Sequence, residues 1–216
     1  MVRGIPLARR MSACLVAAGC AVALAATPAS AATWTVTGGL SINGHGRTDF
    51  IDTTSGMTLA ICRDSSFTGG FVNGTALPGA GLGKMTAWSF HDTGVPAGQC
   101  TASPAGGLTT ATATALPYSF NAVSYNATTK TTTGTLTGIR INLYMTDGCH
   151  AQVAGPGGTT GTLNWSLRGT SLTFSGGNLV LTTTNTLCDP GTINPEDTVS
   201  APGTYTVLGP PTITSP

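Results

Sequence analysis

After residue 32 glycine or proline punctuates most of the chain at short intervals, which leaves little room for helices of ordinary length. The residues between these breaks favour strands. Of the 185 residues from Ala32 to Pro216, 39 are threonine, whereas lysine and glutamate together number three: Lys84, Lys130 and Glu196. Threonine is β-branched and fits a pleated surface, while the good helix formers of solvent-facing positions are nearly missing. The chain is therefore expected to be all-β.

Period-two patterning supports this. Ile139, Ile141, Leu143 and Met145 alternate with Arg140, Asn142 and Tyr144, and Leu163, Trp165 and Leu167 alternate with Asn164, Ser166 and Arg168. Trp34 and Val36 alternate with Thr35 and Thr37, and Met57, Leu59 and Ile61 fall on one face. Each set reads as a strand with one buried and one wet face. Asn43-Gly44 and Asn73-Gly74 read as hairpin turns, and Pro117 should border a strand. About ten to thirteen short strands predict an antiparallel β-sandwich. It is either one sandwich or two related halves, 32–116 and 117–216, since Met57–Cys62 and Leu143–Cys149 are both apolar strands running into a cysteine.

The N-terminus reads as a secretory signal peptide. Arg3, Arg9 and Arg10 precede an uncharged run from Met11 to Ala26, and Ala29 and Ala31 supply the small residues of a cleavage site between Ala31 and Ala32. Sixteen apolar residues are short for a membrane span. Cys20 is a competing lipid-attachment site, disfavoured because the apolar run continues past it. Without Arg3, Arg9 and Arg10, six basic residues face eight acidic ones, so no electrostatic footprint for nucleic acid or anionic lipid exists. No second long apolar segment follows, and the mature chain is expected to be secreted and soluble.

Cys14 and Cys20 leave with the signal, and Cys62, Cys100, Cys149 and Cys188 remain. An even count in an exported chain reads as two disulfides, and four cysteines allow three connectivities. The near-equal spacings of 38 and 39 residues favour Cys62–Cys100 and Cys149–Cys188. Each bridge would contribute roughly 4 kcal/mol in the chain-entropy model.

The catalytic inventory is thin. Three histidines exist, with His45 and His91 read as loop residues and His150 following Cys149, and none stands in a helical zinc-binding spacing. A triad using His91 or His150 with Asp92 or Asp147 and a serine is arithmetically open, but serine is too common for the match to carry weight. Asp189, Glu196 and Asp197 lie within nine residues and are the one candidate calcium loop. They lack the alternating ligands of a calcium-binding loop, and Asx and capping turns explain them more cheaply. Asp49 with Asp52 is a carboxylate pair without any signature of a sugar cleft. Trp34, Trp88 and Trp165 could form a sugar or lipid platform, although Trp165 sits on the apolar face of its strand. No cofactor, metal or catalytic residue is expected.

The order of elements resembles small exported actinobacterial proteins of undefined function and, more distantly, the PraB-like alkane-oxidation activator family. The resemblance runs through Leu59-Ala60-Ile61-Cys62, a Gly-rich stretch to Cys100, Leu116-Pro117-Tyr118, the strand Thr135–Ile141, Cys149, Leu163-Asn164-Trp165, Cys188 and the closing Thr212-Ile213-Thr214. The family's step reads Leu-Pro-Trp where this chain has Tyr118, and the region from Cys188 to Tyr205 is longer here. The resemblance implies a non-catalytic extracellular helper, at or beyond the cell envelope, that assists contact with or growth on hydrophobic substrates. Two alternatives stand beside it. One is a protease inhibitor or small-ligand carrier, with the loop Thr93–Cys100 as the inhibitory segment; the other is a hydrolase of unfamiliar type using His91 or His150.

Overall fold

The computed structural model describes residues 33–103 and 107–215, and the signal-peptide residues, with Ala31 and Ala32, lie outside them. The described residues form one compact unit. Its strands are β1 (Trp34–Thr37), β2 (Ile42–Asp52), β3 (Thr58–Phe71), β4 (Gly74–Leu77), β5 (Gly83–Ser89), β6 (Gln99–Ser103), β7 (Leu108–Thr114) and β8 (Tyr118–Asn126). They continue with β9 (Thr131–Met145), β10 (His150–Ala154), β11 (Gly161–Arg168), β12 (Ser171–Ser175), β13 (Val180–Thr184), β14 (Val199–Ser200), β15 (Gly203–Leu208) and β16 (Thr212–Thr214). Every pairing between them is antiparallel.

The chain is all-β as the sequence predicts, but the main sheet is closed rather than split into two facing layers. Ten strands follow one another in the order β11-β12-β15-β2-β3-β6-β7-β5-β8-β9, and β9 pairs with β11 from Ile139↔Gly161 to Thr131↔Arg168, completing a barrel. A sandwich and a barrel place the same alternating side chains inward, so the sequence pattern fits both, and only the pairing of the outermost strands separates them. The two candidate halves interleave: β2 pairs with β15, β5 with β8 and β7 with β9.

The long strands divide their partners. The first half of β3 bonds β6 and its second half bonds β5. In β9 the inward residues are Thr132, Gly134 and Leu136, then Ile139, Ile141, Leu143 and Met145. The phase slips by one at Gly138, whose φ of 96° suits glycine. Before this bulge β9 lies between β8 and β11; after it, between β7 and β10, and β13 extends the sheet from β10 as a flap.

Aromatic rings fill the barrel. Phe67 packs edge-on against Tyr205 at 5.2 Å, Phe120 against Trp165 at 5.8 Å and Phe50 against Phe90 at 5.2 Å. Gly44 and Gly134 lie under two of these rings, where a Cβ would fall 2.0 Å from Phe67 and 2.6 Å from Trp165. Asn43-Gly44 is therefore the interior of β2, not a turn, and His45 lies in that strand, not in a loop. Asn73 lies in the β3–β4 link, but β4 pairs with β1 in a small second sheet and not with β3, so Asn73-Gly74 joins two sheets and is not a hairpin turn; Pro117 borders β8 in a cis peptide. A three-stranded sheet, β16-β1-β4, packs on one end of the barrel through Trp34, Val36 and Ile213, with the Thr132 hydroxyl donating to the Ile213 carbonyl at 2.7 Å.

Candidate functional site

The disulfides sit toward the end of the barrel away from that small sheet. The structure pairs Cys62 with Cys100 and Cys149 with Cys188. The first ties β3 to β6, and the second ties the β9–β10 turn to the loop after β13.

The residues singled out as possible chemistry are dispersed. His45 lies on the wall in β2, His91 follows β5, and the His150 ring stands edge-on to Tyr144 at 4.7 Å. Among the described residues no histidine ring hydrogen-bonds a carboxylate or a serine. Asp92, beside His91, is fully buried and turns to Arg63 (2.5 Å), the Thr101 hydroxyl (2.9 Å) and the Thr93 amide (2.9 Å). Burial raises the Asp92 carboxyl, but these donors outweigh it and hold it below the ordinary carboxylate range. Asp49 pairs with Arg47, whereas Asp52 faces the core and receives the Thr54 and Ser55 amides, so the two carboxylates do not converge.

The carboxylates of the acidic loop are likewise bonded to separate backbone amides. Asp189 accepts from Gly191 N at 2.8 Å, Asp197 from Asn194 N at 2.7 Å, and Glu196 reaches Gly157 N at 3.4 Å. These are turn and capping contacts, and among the described residues no three His, Cys, Asp or Glu side chains are grouped to hold a metal ion. Trp34, Trp88 and Trp165 are buried and belong to the core, so none forms a platform.

The barrel interior contains a buried polar knot. Trp88 Nε1 donates to the Tyr205 hydroxyl at 2.8 Å, and that hydroxyl also bonds the Thr48 hydroxyl. Burial pushes the Tyr205 hydroxyl's pKa up. The loop Thr93–Gly98 folds into tight turns with Gly94 and Gly98 left-handed, instead of presenting an extended segment. A cleft of about 540 Å³ lies at the disulfide-bearing end between Ser55–Thr58, Asp147, Asp189 and Ile193.

The opposite end has a different character. Leu40, Val72 and Leu208 are 73%, 57% and 60% exposed. They share one tip: Phe71 N bonds the Gly39 carbonyl at 2.8 Å, Leu208 pairs with Asn43, and Pro211 packs on Gly39. The segments that build this tip, 33–46, 65–83 and 198–215, contain no Asp, Glu, Lys or Arg. Lys130 stands at its edge, in a pocket of about 240 Å³ with Pro210 and Pro211. The sequence reading missed the tip, because isolated Leu and Val residues beside Gly-rich turns look like strand ends until the turns show where they point.

Comparison with known proteins returns no match: no protein-family model fits the chain, and no curated protein or solved structure is similar to it. What the fold defines is a class: a closed, disulfide-braced antiparallel barrel with a core rich in aromatic rings. Among its described residues no helix is long and apolar enough to cross a membrane.

Proposed function

We propose that this protein acts outside the cytoplasm as a non-catalytic accessory factor that contacts hydrophobic material through the Leu40–Val72–Leu208 tip. The signal-like N-terminus and the two disulfides support the location. The observation that carries the role is the tip itself, three exposed aliphatic side chains on segments without a charged residue. Full burial of such a side chain is worth about 1.5–3 kcal/mol, so covering the exposed part of three supplies about 3–5 kcal/mol. That is a partition advantage of roughly a hundredfold or more.

The test is partition of the secreted protein between buffer and hexadecane droplets, with a Leu40→Ser/Val72→Ser/Leu208→Ser variant alongside. Wild type should coat the droplets, and the variant, with unchanged melting temperature, should stay in buffer. Equal partition of the two proteins would remove the tip from the account. In cells, a deletion strain should grow poorly on a long-chain alkane and normally on a soluble carbon source. Equal growth on both would remove the role in hydrophobic substrate use.

A further inference from the structure

The outer face of the flap carries a second, chemically different surface. Thr112 of β7 stands opposite Asn142 of β9, Asn142 opposite Gln152 of β10, and Gln152 opposite Thr183 of β13. One row further along the sheet, Tyr144 stands opposite His150. These side chains point away from the core, whose inward neighbours are Ile141, Leu143, Ala151 and Val153. A shallow groove of about 170 Å³ runs between Asn142, Tyr144, His150, Gln152 and Thr183.

Three properties of this groove are specific. First, Tyr144 is the one aromatic residue among the large exposed hydrophobics of the described chain, at 42%, and the His150 ring packs nearly perpendicular to it with centroids 4.7 Å apart. Second, the amides are already oriented: Gln152 Nε2 donates to Asn142 Oδ1 at 2.9 Å, and Thr182 Oγ1 donates to Gln152 Oε1 at 3.3 Å. Third, the groove contains no Asp, Glu, Lys or Arg.

A ring face held in place beside fixed amide and hydroxyl groups matches a ligand whose own faces are apolar C–H and whose edges are hydroxyls. The lack of charge matches a ligand without charge. We infer that the outer face of β9–β10–β13 binds a neutral polysaccharide strand, one sugar ring stacking on Tyr144 and its hydroxyls bonding Asn142, Gln152 and Thr183. The polar row Thr112–Asn142–Gln152–Thr183 continues across four strands, past the groove itself, which suits a chain better than a free monosaccharide. It is separate from the apolar tip and does not depend on it.

The experiment is electrophoresis of the folded secreted protein through native gels containing soluble starch, galactomannan or hydroxyethyl cellulose, with anionic pectin as the charged control. Retardation by at least one neutral polymer is expected, with at least tenfold weaker binding in Tyr144→Ala and in Gln152→Ala. Tyr144→Phe, which keeps the ring face, should retain most of the binding. All three substitutions lie on the surface and should leave the melting temperature and the hexadecane partition unchanged. The tip variant, in turn, should bind polysaccharide like wild type, so the two surfaces fail or succeed separately. No retardation by any neutral polymer, retardation by pectin alone, or binding indifferent to Tyr144→Ala would overturn the assignment.

Discussion

Tyr118 couples this barrel to alkaline pH in a way that can be worked out in advance. It is fully buried, and its hydroxyl lies 2.6 Å from the Arg140 carbonyl and 2.8 Å from the Thr114 carbonyl, oriented to donate to them. Burial pushes its pKa up to about 12, with the backbone of Arg140, whose amide points at the phenol oxygen from 3.4 Å, offsetting part of the shift. In the unfolded chain the phenol ionises near its ordinary value of about 10. Between pH 10 and 12 the unfolded state therefore releases a proton that the folded state keeps, and stability falls as pH rises. A shift of about two pH units corresponds to about 2.7 kcal/mol, fully present below pH 10 and lost by about pH 12. Tyr205 is raised by burial too and adds to the alkaline slope, so wild type alone cannot assign it. The Tyr118→Phe variant isolates the effect, because it removes the titrating proton and keeps the ring. Urea denaturation of both proteins across this pH range should show the stability advantage of wild type shrinking by about 2–3 kcal/mol. Parallel decline of the two proteins would refute the reasoning, and a phenol titrating at its ordinary value by absorbance would locate the error in the burial.

Two further perturbations probe the core. Tyr205→Phe leaves the Trp88 indole N–H and the Thr48 hydroxyl without their shared partner inside the barrel. A loss of about 2–4 kcal/mol is expected, read as a drop of roughly 5–15 °C in Tm by calorimetry; a change under about 2 °C would show that the knot is not a structural determinant. Asp92→Asn keeps the shape but removes the charge facing Arg63, whose own side chain is half exposed and can return to water. It should cost about 1 kcal/mol at neutral pH. Because the folded carboxyl is held below its ordinary value, its contribution exists above about pH 4 and disappears as pH falls through the folded pKa. The variant should accordingly show a flatter acid limb in its stability profile, and an unchanged limb would assign that slope to other carboxylates.

The sequence exposes some layers of this structure and hides others, for physical reasons. Strand identity is legible because Ile139–Met145 and Leu163–Leu167 alternate with period two, and burial follows that alternation. The close spacings 62–100 and 149–188 point to the two bridges that the structure contains. Closure is hidden, since inward and outward positions are the same in a sandwich and a barrel. Asn43-Gly44 misleads because a glycine under an aromatic ring and a glycine in a turn look alike in sequence; the Phe67 ring decides between them. Asp49 and Asp52 look like a pair until β2 is extended, when three residues of separation turn them to opposite faces. Asp189, Glu196 and Asp197 look like a cluster until each is seen capping a different stretch of backbone.

The surface of this barrel is divided by charge. The eight carboxylates lie at positions 49, 52, 64, 92, 147, 189, 196 and 197, and none falls in the three segments that form the apolar tip. An apolar interface has a low dielectric, and a carboxylate carried into it would cost several kcal/mol or force protonation. Keeping carboxylates off the tip lets Leu40, Val72 and Leu208 approach such an interface without that penalty. The flap groove, also uncharged but lined with amides and hydroxyls, needs the opposite environment, because its polar groups stay satisfied only against water or a hydroxylated ligand. The groove opens on the outer face of the flap and the tip on one end of the barrel. One body can thus meet an apolar phase with its tip while the flap groove remains wet, as the proposed role requires.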